Sequence, residues 1–473
     1  LISIKKSGTG WRKKSVFTTA AAKNKEMTMP PVYDAVVIGT GVSGTTASFQ
    51  LSEAGKKIAV VDEREFGGTC PLRGCDPKKI LVGAAEIMDR FHRMEGRGLT
   101  GSTSINWKEL IEFKRTFTRP YPGELEQSMR KAGMDLFHGQ AEFTGESSLK
   151  INGKDISFRR CIIATGAKPR PLGIQGENLL TLSEEFLDAE AIPENIIFIG
   201  GGFISFEFAH IAARAGSKPL ILHRSSRVLK PFDPDLTDKL LSASRNAGIE
   251  IKTNQTVSTV SRTPRGLKVL TEEGKEFTGD LVVHGAGRVP ETEKLKPANA
   301  GIEAGKKGIK VNSRLQSVSN PAVYAVGDAS NTGLPKTPVA TVQAQIAAHN
   351  IIHTPKKEFD FLTTPSVVFT LPVLAKAGML EEEARQKNLG VTVTSQDMSS
   401  WFNSRRIRLE HAGFKTLVEK ESGKILGAHI LGHHAEELIN LFALAIQYNL
   451  TPDQLTRLPY SYPTAGYDIR SMF

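Results

Sequence analysis

Twice along this chain of 473 residues a short apolar run ends in closely spaced glycines and leads into a helical pattern. The first copy reads YDAVVIGTGVSGTTASFQLSEAGKKIAVVDE over 33–63. Its run AVVIG predicts a buried parallel strand. Gly39, Gly41 and Gly44 then fall in the G-x-G-x-x-G pattern at the turn into a helix. Glycine is needed there because side chains would keep a pyrophosphate away from the unpaired N–H groups of the helix N-terminus. The next strand, KIAVVD, ends in Asp62, 23 residues after Gly39, where a carboxylate accepts hydrogen bonds from a ribose. The glycine pattern alone is a weak signal. Strand, turn, helix, second strand and terminal acid in sequence predict a dinucleotide site.

The second copy, IIFIGGGFISFEFAHIAARAGSKPLILHR, covers 196–224. Gly200 and Gly202 keep the first two glycine places, and Ser205, still small, takes the third. Its second strand ends without an acid. His223 and Arg224 stand there instead, and Lys230 follows. An acid favours a free 2′-hydroxyl, whereas cations favour a 2′-phosphate, so this site is expected to take NADPH in preference to NADH. Two such units, one for a flavin and one for a nicotinamide, describe a flavin oxidoreductase that uses FAD and NADPH. Two further segments fit the flavin unit. CIIATGAKP (161–169) reads as a strand ending in a glycine turn, with Thr165 and Gly166 as FAD contacts. AVYAVGDAS (322–330) reads as a strand whose terminal Asp328 binds a ribityl hydroxyl. Chain order then inserts the nicotinamide unit into the flavin domain.

With these segments in place, the chain from about residue 32 onward resembles the class I pyridine nucleotide-disulfide oxidoreductases, the group of glutathione reductase, dihydrolipoamide dehydrogenase and mercuric reductase. The resemblance is carried by GGTCPLRGC (67–75), the doubled fingerprint, GAGRVP (285–290), YAVGDAS (324–330) and TPSVVFTLP (364–372). It implies an α/β fold with two Rossmann-like dinucleotide-binding domains and a C-terminal α+β dimerisation domain. The expected division is FAD domain over 31–166 and 288–357, NAD(P)H domain over 167–287, and homodimer interface over 358–473.

Two of the three cysteines, Cys70 and Cys75, stand five positions apart. A zinc site, a structural disulfide and a catalytic disulfide are the candidate readings. A structural zinc site needs four ligands, and this segment offers two. A structural disulfide over so short a loop would remove little chain entropy. It would also be unusual in the reducing compartment that so few cysteines suggest. A redox pair remains, opening the helical pattern CDPKKILVGAAEIM, whose dipole favours thiolate. Cys161, within RCIIAT, is expected to act as a buried small hydrophobe.

By position, the resemblance makes Cys70 the interchange thiol that attacks the substrate and Cys75 the thiol beside the flavin. It places Lys78 next to the reactive flavin nitrogen with Glu207 as its ion-pair partner. Gly68 and Thr69 belong to the stretch that lets the backbone approach the flavin. Phe203 takes the place of a tyrosine that covers the nicotinamide pocket, and Arg288 lies near the nicotinamide nucleotide. Electrons would pass from NADPH through FAD to the Cys70–Cys75 disulfide and on to a small disulfide or other acceptor.

The C-terminal text LPYSYPTAGYDIRSMF departs from its relatives. In disulfide reductases a histidine here, supplied by the partner subunit, serves the interchange thiol, with a glutamate five residues on. Tyr462 takes the histidine place, Tyr467 the glutamate place, and Asp468 follows. Histidine titrates near neutrality, but a tyrosine of pKa about 10 donates a hydrogen bond and makes a poor base. His433 and His434 are expected to cap or pack against an interface helix. Phe49 and Gln345 replace the arginines by which glutathione reductase holds its substrate. The ending SMF lacks the cysteine pair of mercuric reductase. A quinone or metal-ion reductase working from the flavin, or a low-turnover redox-sensing flavoprotein, are the alternatives.

The net charge of +11 does not signal nucleic acid. Seven cations against Glu26 within residues 1–30 supply six of those charges, and the rest form no basic stripe. That segment is expected to be disordered, as a transit or upstream sequence. LINLFALAI (438–446) is too short to span a bilayer. The expected setting is therefore cytoplasmic, or an organelle matrix or stroma if 1–30 is a transit segment, with no nucleic-acid or membrane partner.

Overall fold

The computed structural model describes residues 32–333, 335–360 and 363–473. The basic stretch 1–30, for which disorder is expected, lies outside the described residues.

AVVIG and its neighbours form a strand, Val32–Ile38, that pairs in parallel with Ile58–Asp62 on one side and Lys154–Ile163 on the other. Side chains alternate across it: Val36 and Ile38 enter one apolar cluster, Ala35 and Val37 another. Burial of both faces is why the segment reads as a continuous apolar run. Asp135–His138 extends the sheet beyond Ile58–Asp62, and a hairpin, Ala141–Gly145 with Ser148–Ile151, closes the other edge. The last member is Val323–Ala325, which lies parallel to Lys154–Ile163 with Val323 beside Cys161.

Between those two neighbours the chain builds a separate unit. Ala167–Pro169 leads out and Arg288–Pro290 leads back, paired antiparallel. Inside lies a parallel sheet ordered Glu250–Lys252, Lys218–Leu222, Asn195–Ile199, Leu281–His284, with a three-stranded antiparallel sheet over 257–279. The nucleotide unit is thus threaded between two paired strands of the first sheet, as chain order requires.

From Ser366 onward a five-stranded antiparallel sheet runs in the order 366–368, 373–378, 425–432, 413–419, 391–397. The helix Ala435–Gln447 covers it, burying Leu438, Ile439 and Phe442. Among the described residues no helix is long and apolar enough to cross a membrane.

Candidate functional site

The first fingerprint turn admits only glycine at two of its three positions. Gly39 has φ +101°, and a Cβ on it would lie 2.4 Å from the Ala164 carbonyl oxygen. A Cβ on Gly44 would lie 1.8 Å from the Gly39 oxygen. Gly41 caps the helix Val42–Glu53. Gly68 meets it from the cysteine loop, where an added Cβ would stand 2.3 Å from the Gly41 Cα. Sequence reasoning gave Gly68 a cofactor-facing purpose. The structure adds a packing one, because the cysteine loop rests directly on the fingerprint turn.

Asp62 is held by this turn: its Oδ2 accepts from the Thr40 N–H at 2.8 Å and the Thr40 hydroxyl at 2.7 Å. Thr165 Oγ1 is buried without a hydrogen-bond partner, beside Gly166 at φ +69°. Half-buried Asp328 accepts no hydrogen bond from the described protein, and burial raises its carboxyl above the usual range while the Arg288 charge opposes. An orphaned hydroxyl, an unpaired carboxylate and a side-chain-free helix N-terminus fit the ribityl and pyrophosphate parts of FAD. Arg288, assigned from sequence to the nicotinamide nucleotide, lies within electrostatic reach of Asp328, Glu184 and Glu291, and donates to the Ala167 carbonyl.

Cys70 lies in the short helix Thr69–Arg73, which Gly68 precedes at φ +72°. Cys75 opens the helix Cys75–Met94. The two thiols act on one another: the neighbouring sulfur and burial raise the Cys70 thiol, whose hydrogen points to Asp76 Oδ1 at 3.9 Å, while the neighbouring sulfur lowers that of Cys75 to about 6. Thr337, the first residue of the helix Thr337–Ile352, stands 3.6 Å from the Cys75 sulfur, and the Lys78 charge adds to the lowering. Two helix N-termini thus converge on one sulfur. In the reduced protein one thiolate is expected above about pH 6 and lost below it. Its ultraviolet absorbance, followed against pH in wild type and Cys75→Ser, checks this: the variant should lose the low-pH transition.

Lys78 Nζ lies 3.0 Å from Glu207 Oε1, with side-chain exposures of 10% and 5%. The same Glu207 oxygen accepts the Phe369 N–H at 2.9 Å. The Phe369 ring lies 4.0 Å from the Lys78 ammonium and 4.6 Å from that of Lys79. Thr337 and Phe369 were not found from sequence. Thr337-Pro338 is an ordinary helix start, and only the fold shows what it faces. Lys336 precedes them, and burial lowers its amine to about 8 where it donates to Ser366 Oγ and the Pro365 carbonyl. Cys161 is fully buried and its thiol pKa is raised by that burial, as expected of a packing residue.

On the nicotinamide side Gly200 has φ +113°, and a Cβ there would lie 2.4 Å from the Gly285 oxygen. Ser205 is tolerated in the third place because Gly285 faces it, where a Cβ would come 2.0 Å from the Ser205 hydroxyl. Gly202 precedes the helix Phe203–Arg214, and the Phe203 ring is 53% exposed at its first turn. Arg224 and Lys230 are exposed and enter no ion pair among the described residues. His223 differs from the cation expected of it. Its Nδ1 accepts from the Gly201 N–H at 3.0 Å, and burial lowers its pKa, so it is a neutral brace under the turn.

At the C-terminus the Tyr462 and Tyr467 rings meet edge to face at 4.9 Å, and Tyr462 is 71% exposed. Asn403 Nδ2 holds both Asp468 oxygens, at 3.1 and 3.0 Å. His433 and His434 pack ring on ring at 3.6 Å. Of the capping or packing expected of them, ring contact is what is seen: His434 takes the N-cap place but its side chain makes no capping hydrogen bond.

A family model described as pyridine nucleotide-disulphide oxidoreductase matches residues 33–344, and that family's dimerisation domain matches 364–472. A glutathione reductase of Burkholderia cepacia is 31% identical over 420 residues, covering 89% of this chain and 93% of that protein. A mercuric reductase of Staphylococcus aureus is 29% identical over 432 residues, covering 90% and 79%. The solved HOCl-induced flavoprotein disulfide reductase RclA from Escherichia coli superposes with a TM-score of 0.85 at 26% identity, covering 93% of this chain and 99% of that one. With the doubled nucleotide turns, the paired thiols and these matches together, the chain belongs to the pyridine nucleotide-disulfide oxidoreductases, FAD-dependent enzymes that pass electrons from NAD(P)H to a disulfide or other acceptor.

Proposed function

We propose that this chain is a homodimeric, NADPH-dependent reductase whose Cys70–Cys75 pair delivers electrons to a small disulfide. The setting of the thiol pair carries the reading: the neighbouring sulfur, the Thr337 hydroxyl 3.6 Å away and the Lys78 charge lower the Cys75 thiol, while the neighbouring sulfur and burial raise that of Cys70. A pair so divided gives one sulfur the anion and leaves the other as the thiol that meets the substrate.

Gly39, Gly41, Gly44, Thr165, Gly166 and Asp328 would hold FAD, and Gly200, Gly202, Arg224 and Lys230 the NADPH. When bound, FAD supplies the exchange between a hydride donor and the electron pair that opens a disulfide. Lys78 brings positive charge to that exchange, and Glu207 with the Phe369 N–H keeps its ammonium in place. Thr337 donates toward the Cys75 sulfur and so favours its anion. Phe203 screens the nicotinamide pocket from water. Tyr462, 71% exposed, lends the partner subunit's mouth a hydroxyl that hydrogen-bonds. The exposed Leu444, Tyr448, Leu458 and Tyr462 of the dimerisation domain support a self-association that would cover them. Phe49 and Gln345, where arginines would grip charged glutathione disulfide, favour a less charged disulfide.

The nucleotide assignment is tested by Arg224→Ala combined with Lys230→Ala. Loss of two charge-assisted contacts should lower kcat/KM for NADPH by roughly 100-fold and leave NADH within about threefold. Equal losses with both nucleotides would remove the 2′-phosphate assignment.

A further inference from the structure

The histidine that serves the interchange thiol in related reductases is absent here, and Tyr462 stands in its place. The cysteine helix itself carries another group that can take a proton. Asp76 is the second residue of Cys75–Met94, and its Oδ1 lies 3.9 Å from the Cys70 sulfur, which donates the hydrogen. No cation pairs with Asp76 and no other hydrogen bond engages it among the described residues. The groups around it are few. Cys75 and Lys78 share its helix, Thr337 faces Cys75 from the neighbouring helix, and Tyr121 stands opposite at the start of Tyr121–Lys131. Burial, with the Asp76 and Cys70 charges behind it, keeps the Tyr121 phenol protonated, so Tyr121 is no proton acceptor. Partial burial also holds the carboxyl of this exposed residue above the usual range, against the pull of the Cys70 hydrogen bond, which favours its taking a proton.

We propose that Asp76 is the catalytic proton partner of Cys70, taking the thiol proton as the sulfur attacks and returning it to the thiolate that leaves. This rests on the reading of the pair as a disulfide reductant. In the step, Cys70 attacks one sulfur of a substrate RS–SR. The Cys70–SR bond forms, the substrate S–S bond breaks, and the proton passes through Asp76 to the departing sulfur, which leaves as RSH. The Cys75 thiolate then attacks the Cys70 sulfur, forming the Cys70–Cys75 disulfide and releasing RS⁻, which solvent protonates. The dithiol is oxidised by two electrons and the substrate is reduced by two.

The test uses reduced holoenzyme in single turnover against two reagents. Hydroxyethyl disulfide releases an alkyl thiolate that needs a proton, whereas dithiobis(nitrobenzoate) releases an acidic aryl thiolate that does not. Asp76→Asn should slow the alkyl reaction about 100-fold and the aryl reaction by no more than about tenfold. Asp76→Glu should recover part of the alkyl rate. Bound-flavin absorbance reports that each variant has folded. Equal losses with both reagents would make Asp76 structural. A purely electrostatic role has the opposite sign, because removing the carboxylate eases Cys70 ionisation and would speed both reactions. An alkyl-selective loss in Tyr462→Phe but not in Asp76→Asn would move the proton to the partner subunit. Each of these three results overturns the proposal. Single turnover reads Cys70 whether or not either reagent is physiological. Absence of steady NADPH consumption with any disulfide would instead defeat the proposed function and leave this comparison readable.

Discussion

Cys70→Ser is expected to lower NADPH-dependent disulfide reduction by at least about 1,000-fold while quinone reduction by the same protein survives. Serine cannot form the mixed disulfide, and the remaining Cys75 thiol has no partner with which to close the cycle. A quinone is smaller in its demands, since it can be reduced at the flavin without a sulfur. Cys70 is half-buried and makes no contact with Lys78 or Glu207, so its loss leaves that ion pair in place. The measurement is a pair of steady-state assays on one flavin-loaded preparation. Retained disulfide reduction would show that the cysteines are not the conduit. Loss of both activities with flavin still bound would show that electrons leave the cofactor only through sulfur, and the quinone alternative would fall.

What could be read in the chain, and what could not, follows from the range of each interaction. The two fingerprint turns are short stretches whose own backbone demands glycine, through the positive φ of Gly39 and Gly200 and the Gly39 oxygen above Gly44, even though the carbonyls that also crowd Gly39 and Gly200 come from distant Ala164 and Gly285. Their spacing therefore shows in the letters. Cys161 was legible for the same reason, lying in an apolar strand with both faces buried. The Lys78–Glu207 contact joins residues 129 apart and was inferred only through resemblance. Thr337 and Phe369 were missed because each reaches the site from a distant segment through the fold, and neither residue type in its local context signals chemistry. Ser205 in a glycine place looked like a departure until Gly285 was seen across from it. His223 was misjudged because a strand-end histidine reads as a cation until its ring nitrogen is found accepting from Gly201.

The Lys78–Glu207 pair also makes a prediction about stability that separates it from the many ion pairs on the surface. Exposed pairs contribute little because water already solvates both charges. Here both side chains are nine-tenths or more buried, and the carboxylate has a second donor in the Phe369 N–H. Glu207→Leu would strand an ammonium and an N–H together, with only the Phe369 ring as partial compensation. The expected cost is about 3–5 kcal/mol, read from denaturant unfolding of the flavin-loaded protein. Lys78→Met with Glu207→Leu removes both charges and should recover most of that loss, because neither ion is left without its counterpart. Activity should move the other way. The double variant regains stability but still lacks the cation at the electron-transfer site, and its reduction by NADPH should remain roughly 100-fold slow. If stability and reduction rate recovered together, the lysine would be a packing element, and the electrostatic role assigned to it would be wrong.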